Sequence, residues 1–179
     1  LDAADTYLQR YQARNGAYPY ADFHVISAPL PVGLGFPNLT YVGRQVIPLP
    51  FMPTRSLAHE VLHNWWGNSV YVDFETGNWC EGLTAYMADH LIKEQRGQGI
   101  DYRRSTLQKY TNYVNEENDF PLSDFRSRYN EPSEAIGYGK SLMMWNMLRQ
   151  DLGDENFIRG FQNFNRTNKF KFASFDDIG

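Results

Sequence analysis

The chain has a single cysteine, Cys80, so no disulfide bond can form within it. It also lacks long apolar runs: none approaches the roughly 20 residues that a helix needs to cross a membrane, so we expect no membrane-spanning segment. Lys and Arg form no cluster, and the net charge of −4 argues against a nucleic-acid partner. Aromatic residues, in contrast, make up 16% of the chain, which predicts a core packed with large rings.

The first part of the chain predicts one helix and a small sheet. Residues 17–53 carry seven of the nine prolines, and this density excludes a long helix there. Phe23–Ala28 and Thr40–Ile47 have the composition of short strands. Before them, apolar residues recur at helical spacing ahead of a stop signal at Gly16; they are Leu1, Ala4, Leu8 and Tyr11.

From Thr54 onward the pattern becomes helical. Thr54 is a good N-cap for a helix whose apolar positions continue to Trp65, and Gly67 is its expected end. Further helices are predicted over residues 79–96, 102–117, 138–152 and 154–167.

These patterns together predict an α+β fold in one domain over residues 1–179. A helix and a small sheet lobe are expected in residues 1–53, followed by a mainly helical lobe in residues 54–179. The chain starts without Met, inside a helical pattern, so we interpret it as a fragment of a longer protein.

The sequence His-Glu-Val-Leu-His at residues 59–63 has the spacing of a metal-binding helix. Residues four apart lie one turn apart on the same face, so His59 and His63 can bind one metal ion, with zinc as the expected metal. Glu60 lies about 100° around the helix from His59, close enough to activate an attacking water. The alternative is a helix that contains this short pattern by chance.

A third protein ligand decides between these interpretations, because two histidines alone make a poor zinc site. The residue six positions after His63 is Ser69, which excludes a third histidine there. Glu81, near the start of the next predicted helix, is the expected ligand. Two alternatives stay open: Asn78 and Glu81 also match a capping box, and Glu75 is a weaker candidate ligand.

Further motifs follow along most of the chain. Residues 65–68 read Trp-Trp-Gly-Asn, and a Glu-Gly pair at 81–82 opens the next helix. Residues 135–141 read Ala-Ile-Gly-Tyr-Gly-Lys-Ser, and residues 152–157 begin with Leu-Gly-Asp-Glu. Together with His-Glu-x-x-His, this set resembles the membrane alanine aminopeptidase family of gluzincin zinc metallopeptidases, which includes the leukotriene hydrolases.

The resemblance implies a thermolysin-like zinc metallopeptidase catalytic domain with aminopeptidase-like peptide hydrolysis. It implies that His59, His63 and Glu81 bind one zinc ion and that Glu60 activates the attacking water. Tyr138 matches the family's catalytic tyrosine, so the resemblance assigns it the stabilisation of the oxyanion. The implied partners are a peptide substrate and the flanking domains of a parent protein.

The sequence departs from the family pattern in two places: the spacing between His63 and Glu81, and the signature that binds the substrate's α-amine. The family usually has one more residue between the second His and the Glu, and a deletion in the turn at 73–78 would absorb that difference. Its Gly-x-Met-Glu-Asn signature, whose Glu binds the substrate's α-amine, best matches residues 33–39, with Gly35 in place of Glu. Glu131 and Glu134 are candidates to replace that carboxylate.

Two alternative functions follow from these departures. One is an endopeptidase or oligopeptidase without specificity for a free amine. The other is a non-catalytic, zinc-supported peptide-binding module whose hydrolytic activity has been lost.

Five other conspicuous residues are interpreted as structural. His24 and His90 are expected to be surface or satisfied core histidines, because neither shares a helix face with the predicted ligands. Cys80 is expected to be a buried thiol. Trp65 and Trp66 are expected to pack behind the metal-binding helix.

Overall fold

The computed structural model describes residues 2–29, 33–49, 52 and 56–178. Two compact units are present. The first unit contains Leu1–Tyr71 and Ile158–Lys171, and the second contains Val72–Phe157 and Phe172–Gly179. Within the described part of the chain, no helix combines the length and apolar character that crossing a membrane requires.

The first unit contains a three-stranded sheet with β3 at its centre. The central strand β3 pairs in parallel with β1 and antiparallel with β2, which leaves β2 at an edge. The elements of this unit in chain order are α1 (Asp2–Asn15), β1 (His24–Ala28), β2 (Gly33–Phe36), β3 (Leu39–Gly43) and α2 (Leu57–Leu62).

Aromatic side chains form the core of the first unit. Tyr11 of α1 meets Trp65 edge-on, with ring centroids 6.1 Å apart, and the Trp65 Nε1–H donates to the Gly16 carbonyl at 3.0 Å. Trp66 packs against Phe161 and Phe164, which lie on α8 (Asp154–Asn168). Both tryptophans are fully buried, which confirms that they pack in the core.

The second unit is mainly helical, and two of its helices contain π-helical segments. In the first, α3 (Trp79–Thr84) continues through a π segment, Ala85–His90, into α4 (Leu91–Gln95). In the second, α6 (Glu131–Glu134) continues through a π segment, Ala135–Lys140, into α7 (Ser141–Leu152). In the chain, α5 (Gly99–Tyr113) lies between these two long helices. Such π segments commonly mark functional positions in helices.

Short elements complete the described chain. The strands β4 (Tyr71–Val72) and β5 (Phe172–Ala173) form a two-stranded sheet. Single 3₁₀ turns occur at Phe74–Thr76, Leu122–Asp124 and Asp176–Ile178.

The predicted α+β fold, a small sheet lobe with a mainly helical remainder, is confirmed, but several element boundaries were wrong. The strand predicted over Thr40–Ile47 ends at Gly43, because the Val46 amide bonds back to Gly43 and turns the chain. The helix predicted over 102–117 begins at Gly99 and ends at Tyr113, where Val114 adopts an extended conformation.

Of the remaining helix predictions, one has the wrong start and two agree with the structure. The helix predicted over 138–152 begins earlier, because an Asn130–Ser133 capping box starts it at Glu131. The helices predicted over 79–96 and 154–167 agree with the structure to within a residue or two. Thr54, the expected N-cap, and the predicted 53/54 lobe boundary lie outside the described residues.

Candidate metal centre

The helix α2 presents His59 and Glu60 on the side opposite its buried face. Its apolar residues are buried and fix its orientation; they are Leu57, Ala58, Val61 and Leu62. His59 and Glu60 are both partly exposed. His63 was expected in the middle of a longer helix, but it is the C-cap residue directly after α2.

The two histidine rings have the geometry of a ligand pair. Nδ1 of His63 lies 3.0 Å from the Trp66 carbonyl oxygen, which can only accept, so Nδ1 carries the proton. The Nε2 atom of His63 therefore keeps its lone pair, and it lies 3.1 Å from Nε2 of His59. Two imidazole ligands of one tetrahedral zinc have their nitrogens about 3.3 Å apart. This pair therefore fits the ligand spacing that zinc requires.

The carboxylate of Glu60 lies directly against the edge strand β2. A Cβ atom at Gly35 would lie 2.7 Å from Glu60 Oε2 and 4.0 Å from His63 Cβ. A side chain at position 35 therefore requires the Glu60 carboxylate to move. This close approach gives a physical reason for glycine where the related signature has Glu.

Asn64, which the sequence analysis did not single out, links β2 and β3 to the helix α2. Its side-chain amide donates to the carbonyls of Val61 at 2.9 Å and Glu60 at 3.3 Å. Its Oδ1 accepts the Asn38 amide at 2.9 Å, in the turn between the two strands. The only sequence signal was a polar residue that directly follows His-Glu-x-x-His.

In the second unit, Glu81 lies in the first turn of α3. Asn78, the N-cap residue, makes no side-chain hydrogen bond to this helix, so the capping-box alternative is not observed. Gly82 packs so closely against the other long helix that a Cβ atom there would overlap Ser141 and lie 2.9 Å from the Gly137 carbonyl. The Glu-Gly pair thus brings α3 against the π segment that carries Tyr138.

Tyr138 is a half-buried phenol that forms a hydrogen bond with Glu81. Burial raises the pKa of Tyr138 well above its usual range, and the negative charge of Glu81 raises it further. The Arg128 guanidinium, 5.4 Å from the ring centroid, has the opposite effect on this pKa. The phenol therefore stays protonated at neutral pH and can donate a hydrogen bond.

One group of three possible metal ligands occurs in the described part of the chain. His59, His63 and Glu81 each offer one ligand atom, and these atoms all lie within 4.8 Å of one another. Glu75, the weaker candidate, is not in this group; it is exposed in the 3₁₀ turn after Asp73.

The two carboxylates proposed to replace the amine-binding Glu have other surroundings. Glu134 accepts from Arg128 at 3.2 Å and from Lys109 at 3.4 Å, so cations of this chain already neutralise it. Glu131 is exposed in the first turn of α6.

The remaining histidines and the cysteine have structural surroundings. His24 is exposed, with Nε2 3.2 Å from Asp22 Oδ2. His90 is fully buried, and its Nε2 accepts from Arg103 at 2.7 Å. Cys80 is a buried thiol. The predictions for His24 and Cys80 are confirmed. His90 lies in the core as predicted, but its Nδ1 has no hydrogen-bond partner among the residues that the structure describes, so it is not a fully satisfied histidine.

Comparison with known proteins adds a family to this geometry. The model of the peptidase family M1 domain matches residues 54–178. The alanine/arginine aminopeptidase of Saccharomyces cerevisiae is 27% identical over 125 residues, 66% of this chain and 14% of that protein. Endoplasmic reticulum aminopeptidase 2 of Homo sapiens is 26% identical over 131 residues, 70% of this chain and 14% of that protein. The chain therefore spans about one seventh of the length of these two relatives.

Solved structures share the fold. An M1 zinc metallopeptidase from Deinococcus radiodurans matches with a TM-score of 0.75 at 23% identity, over 97% of this chain and 38% of that one. Native leukotriene A4 hydrolase from Saccharomyces cerevisiae matches with a TM-score of 0.75 at 16% identity, over 96% of this chain and 30% of that one.

Proposed function

The chain belongs to peptidase family M1, and from that membership we propose that it contributes a zinc-dependent centre for peptide-bond hydrolysis. The family expected from the sequence motifs is thereby confirmed. The observation that carries the proposal is the three-ligand group of His59, His63 and Glu81. A peptide substrate and an aminopeptidase-like activity belong to the same proposal.

The donor set supports zinc as the metal. Two imidazoles and one carboxylate are the ligands of many catalytic zinc sites, and a three-ligand set leaves a coordination position for water or substrate. A zinc ion bound there lowers the pKa of water and polarises the scissile carbonyl group. The Trp66 carbonyl orients the His63 ring by accepting its Nδ1 proton, as second-shell groups do in zinc proteins.

Glu60 is proposed as the general base. It follows His59 directly, so α2 carries the ligand and the carboxylate on adjacent positions. Glu60 accepts a proton from the attacking water and passes it to the leaving amine. The contact with β2 restricts where this carboxylate can lie, which favours a single productive position.

Tyr138 is proposed to stabilise the oxyanion. Its hydroxyl is protonated, as its raised pKa requires, and it can donate a hydrogen bond to the negative charge that forms on the carbonyl oxygen. The π segment and the close packing of Gly82 hold this side chain beside Glu81.

The Glu60→Gln variant tests this proposal. It keeps the size of the side chain but removes the base, so peptide hydrolysis should fall by about 100-fold or more. Bound zinc, measured by elemental analysis, should stay at one ion per chain in the variant. Equal activity in the variant and the parent would exclude Glu60 as the base. Zinc binding without hydrolysis by the parent would favour the non-catalytic peptide-binding module.

A second candidate function is cleavage within peptides, without specificity for a free N-terminus. Gly35 favours it, because no carboxylate at this position can bind an α-amine and Glu60 occupies the space a side chain would need. Hydrolysis of one peptide with a free and with an acetylated N-terminus separates the two candidates. A strong preference for the free amine excludes the second candidate.

The proposal for the whole protein includes further domains. Because the chain spans 14% of each of the two curated relatives, flanking domains are proposed to complete the substrate cleft. Hydrolysis is therefore best assayed both in this chain and in the parent protein that contains it.

A further inference from the structure

We propose that Phe125 is a positioning residue that aligns Glu81 with Tyr138. The inference rests on the proposed function, because it gives these two residues their roles as zinc ligand and oxyanion donor. Phe125 lies at the end of the 3₁₀ turn Leu122–Asp124, in a segment that contacts both long helices of the second unit.

The Phe125 ring is buried against the π segment that carries Tyr138. Only 1% of Phe125 is exposed, and a Cβ atom at Gly137 would overlap three carbons of its ring. The same ring meets Tyr138 edge-on, with centroids 6.0 Å apart. The ring therefore fills the space beside Tyr138 and restricts the positions that the phenol can adopt.

The backbone of the same segment holds the start of α3. The Phe125 carbonyl accepts the Asn78 amide at 2.7 Å, and the Arg126 carbonyl accepts the Asn78 side chain at 2.9 Å. The Arg126 guanidinium donates to the Glu75 carbonyl at 2.9 Å. Asn78 is the N-cap of α3, so these bonds fix the helix end that carries Glu81.

The two sets of contacts meet at one residue. The ring of Phe125 determines where Tyr138 lies, and its carbonyl determines where the helix of Glu81 begins. Since Tyr138 and Glu81 are also hydrogen-bonded to each other, a shift of Phe125 changes the orientation of both. A residue that only filled the core would affect stability but not this alignment.

The zinc affinity of the Phe125→Ala variant tests the inference. Residues that orient metal ligands typically change metal affinity by about 10- to 100-fold, so the zinc Kd should rise by about tenfold in this variant. The Kd is measured by competition with a chelating dye, at a temperature at which circular dichroism shows both proteins folded. When the same substitution is made in the longer protein that contains this chain, kcat should fall by a similar factor, with KM changed less than about threefold.

Two further variants separate positioning from packing. Phe157→Ala is the matched control, since Phe157 is also buried in the second unit but contacts Tyr86. It should lower the midpoint of urea unfolding as Phe125→Ala does, yet leave the zinc Kd unchanged. Phe125→Leu, which keeps most of the apolar volume, should restore much of the affinity.

A double variant probes the contact itself. Gly137→Ala should weaken zinc binding because its methyl group displaces the Phe125 ring. In Phe125→Ala/Gly137→Ala the methyl group occupies vacated space, so the two losses should not add. The inference is wrong if Phe125→Ala binds zinc as tightly as the unmutated chain, or if Phe157→Ala loses affinity equally. If the unmutated chain binds no zinc, that result would instead contradict the proposed function.

Discussion

A Cβ atom at Gly35 would lie 2.7 Å from Oε2 of Glu60, closer than Cβ atoms approach other heavy atoms in proteins. Gly33, two residues earlier on the same strand, differs, because a Cβ atom there would lie 3.7 Å from Glu60 Oε1, an ordinary contact distance. The carboxylate is the end of a flexible side chain and can move aside. A side chain at position 35 should therefore move the Glu60 carboxylate but have little effect on the stability of the fold.

This difference predicts opposite outcomes for two similar substitutions. Gly35→Ala should lower kcat by about tenfold, because even a displacement of about 1 Å of the proposed general base Glu60 is costly. Its free energy of unfolding should stay within about 0.5 kcal/mol of the parent value. Gly33→Ala, the matched control, should change neither quantity. Equal kcat values for the two variants would mean that β2 does not position Glu60.

The two proposed histidine ligands and the proposed general base could be predicted from sequence because their spacing is local. His59, Glu60 and His63 lie within one turn and a half of helix, and the buried residues of α2 fix which side they face. The contact between Gly35 and Glu60 joins a strand and a helix that are separated in the chain by β3. The resemblance to a family identified position 35 as different, but only the packing supplies the reason.

Removal of Glu81 should abolish tight zinc binding. In Glu81→Ala two imidazoles remain, and a two-ligand site holds zinc weakly. Elemental analysis after dialysis should therefore find about one zinc per parent chain and far less in the variant. Glu75→Ala serves as the control, because Glu75 lies outside the ligand group, and it should retain zinc fully. If only the Glu75 variant loses zinc, the third ligand is Glu75 and not Glu81.

Tyr138→Phe should slow hydrolysis without releasing the metal. The substitution removes the proposed oxyanion donor, and loss of one such donor typically costs about 100- to 1000-fold in kcat. KM and bound zinc should stay near the parent values, because the phenol is not in the ligand group. Tyr129→Phe is a suitable control, since 77% of Tyr129 is exposed. An unchanged kcat in Tyr138→Phe would remove this residue from the proposed mechanism.

The supporting contacts around Tyr138 were beyond the reach of sequence analysis. Phe125 and Asn78 are 47 positions apart in the sequence, yet a backbone hydrogen bond joins them. The π segments were also missed, since apolar periodicity does not distinguish an α-helix that contains one extra residue in a turn. No local sequence pattern indicates that two distant residues such as Phe125 and Asn78 are in contact, so the sequence alone could not reveal this hydrogen bond.

The buried His90 makes stability depend on pH. Burial lowers its pKa from 6.5 to about 4, with the Arg103 and Arg149 charges acting in the same direction and Glu94 opposing them. The rings of Tyr86 and Tyr102 also face this imidazole. Between these two pKa values the unfolded chain binds the proton and the folded chain does not. The contribution of His90 to stability is therefore complete above about pH 6.5 and is lost as the pH falls toward 4.

Urea unfolding of the zinc-free chain at several pH values measures this dependence. A chelator in every sample removes the pH-dependent contribution of zinc binding. Between about pH 6.5 and 4.5, His90 should account for a loss on the order of 2 kcal/mol in the free energy of unfolding. His90→Gln does not titrate but keeps an acceptor for Arg103, so its unfolding should vary less over this range. If parent and variant lose stability in parallel, acid destabilisation arises elsewhere, and His90 is protonated without cost in the folded chain.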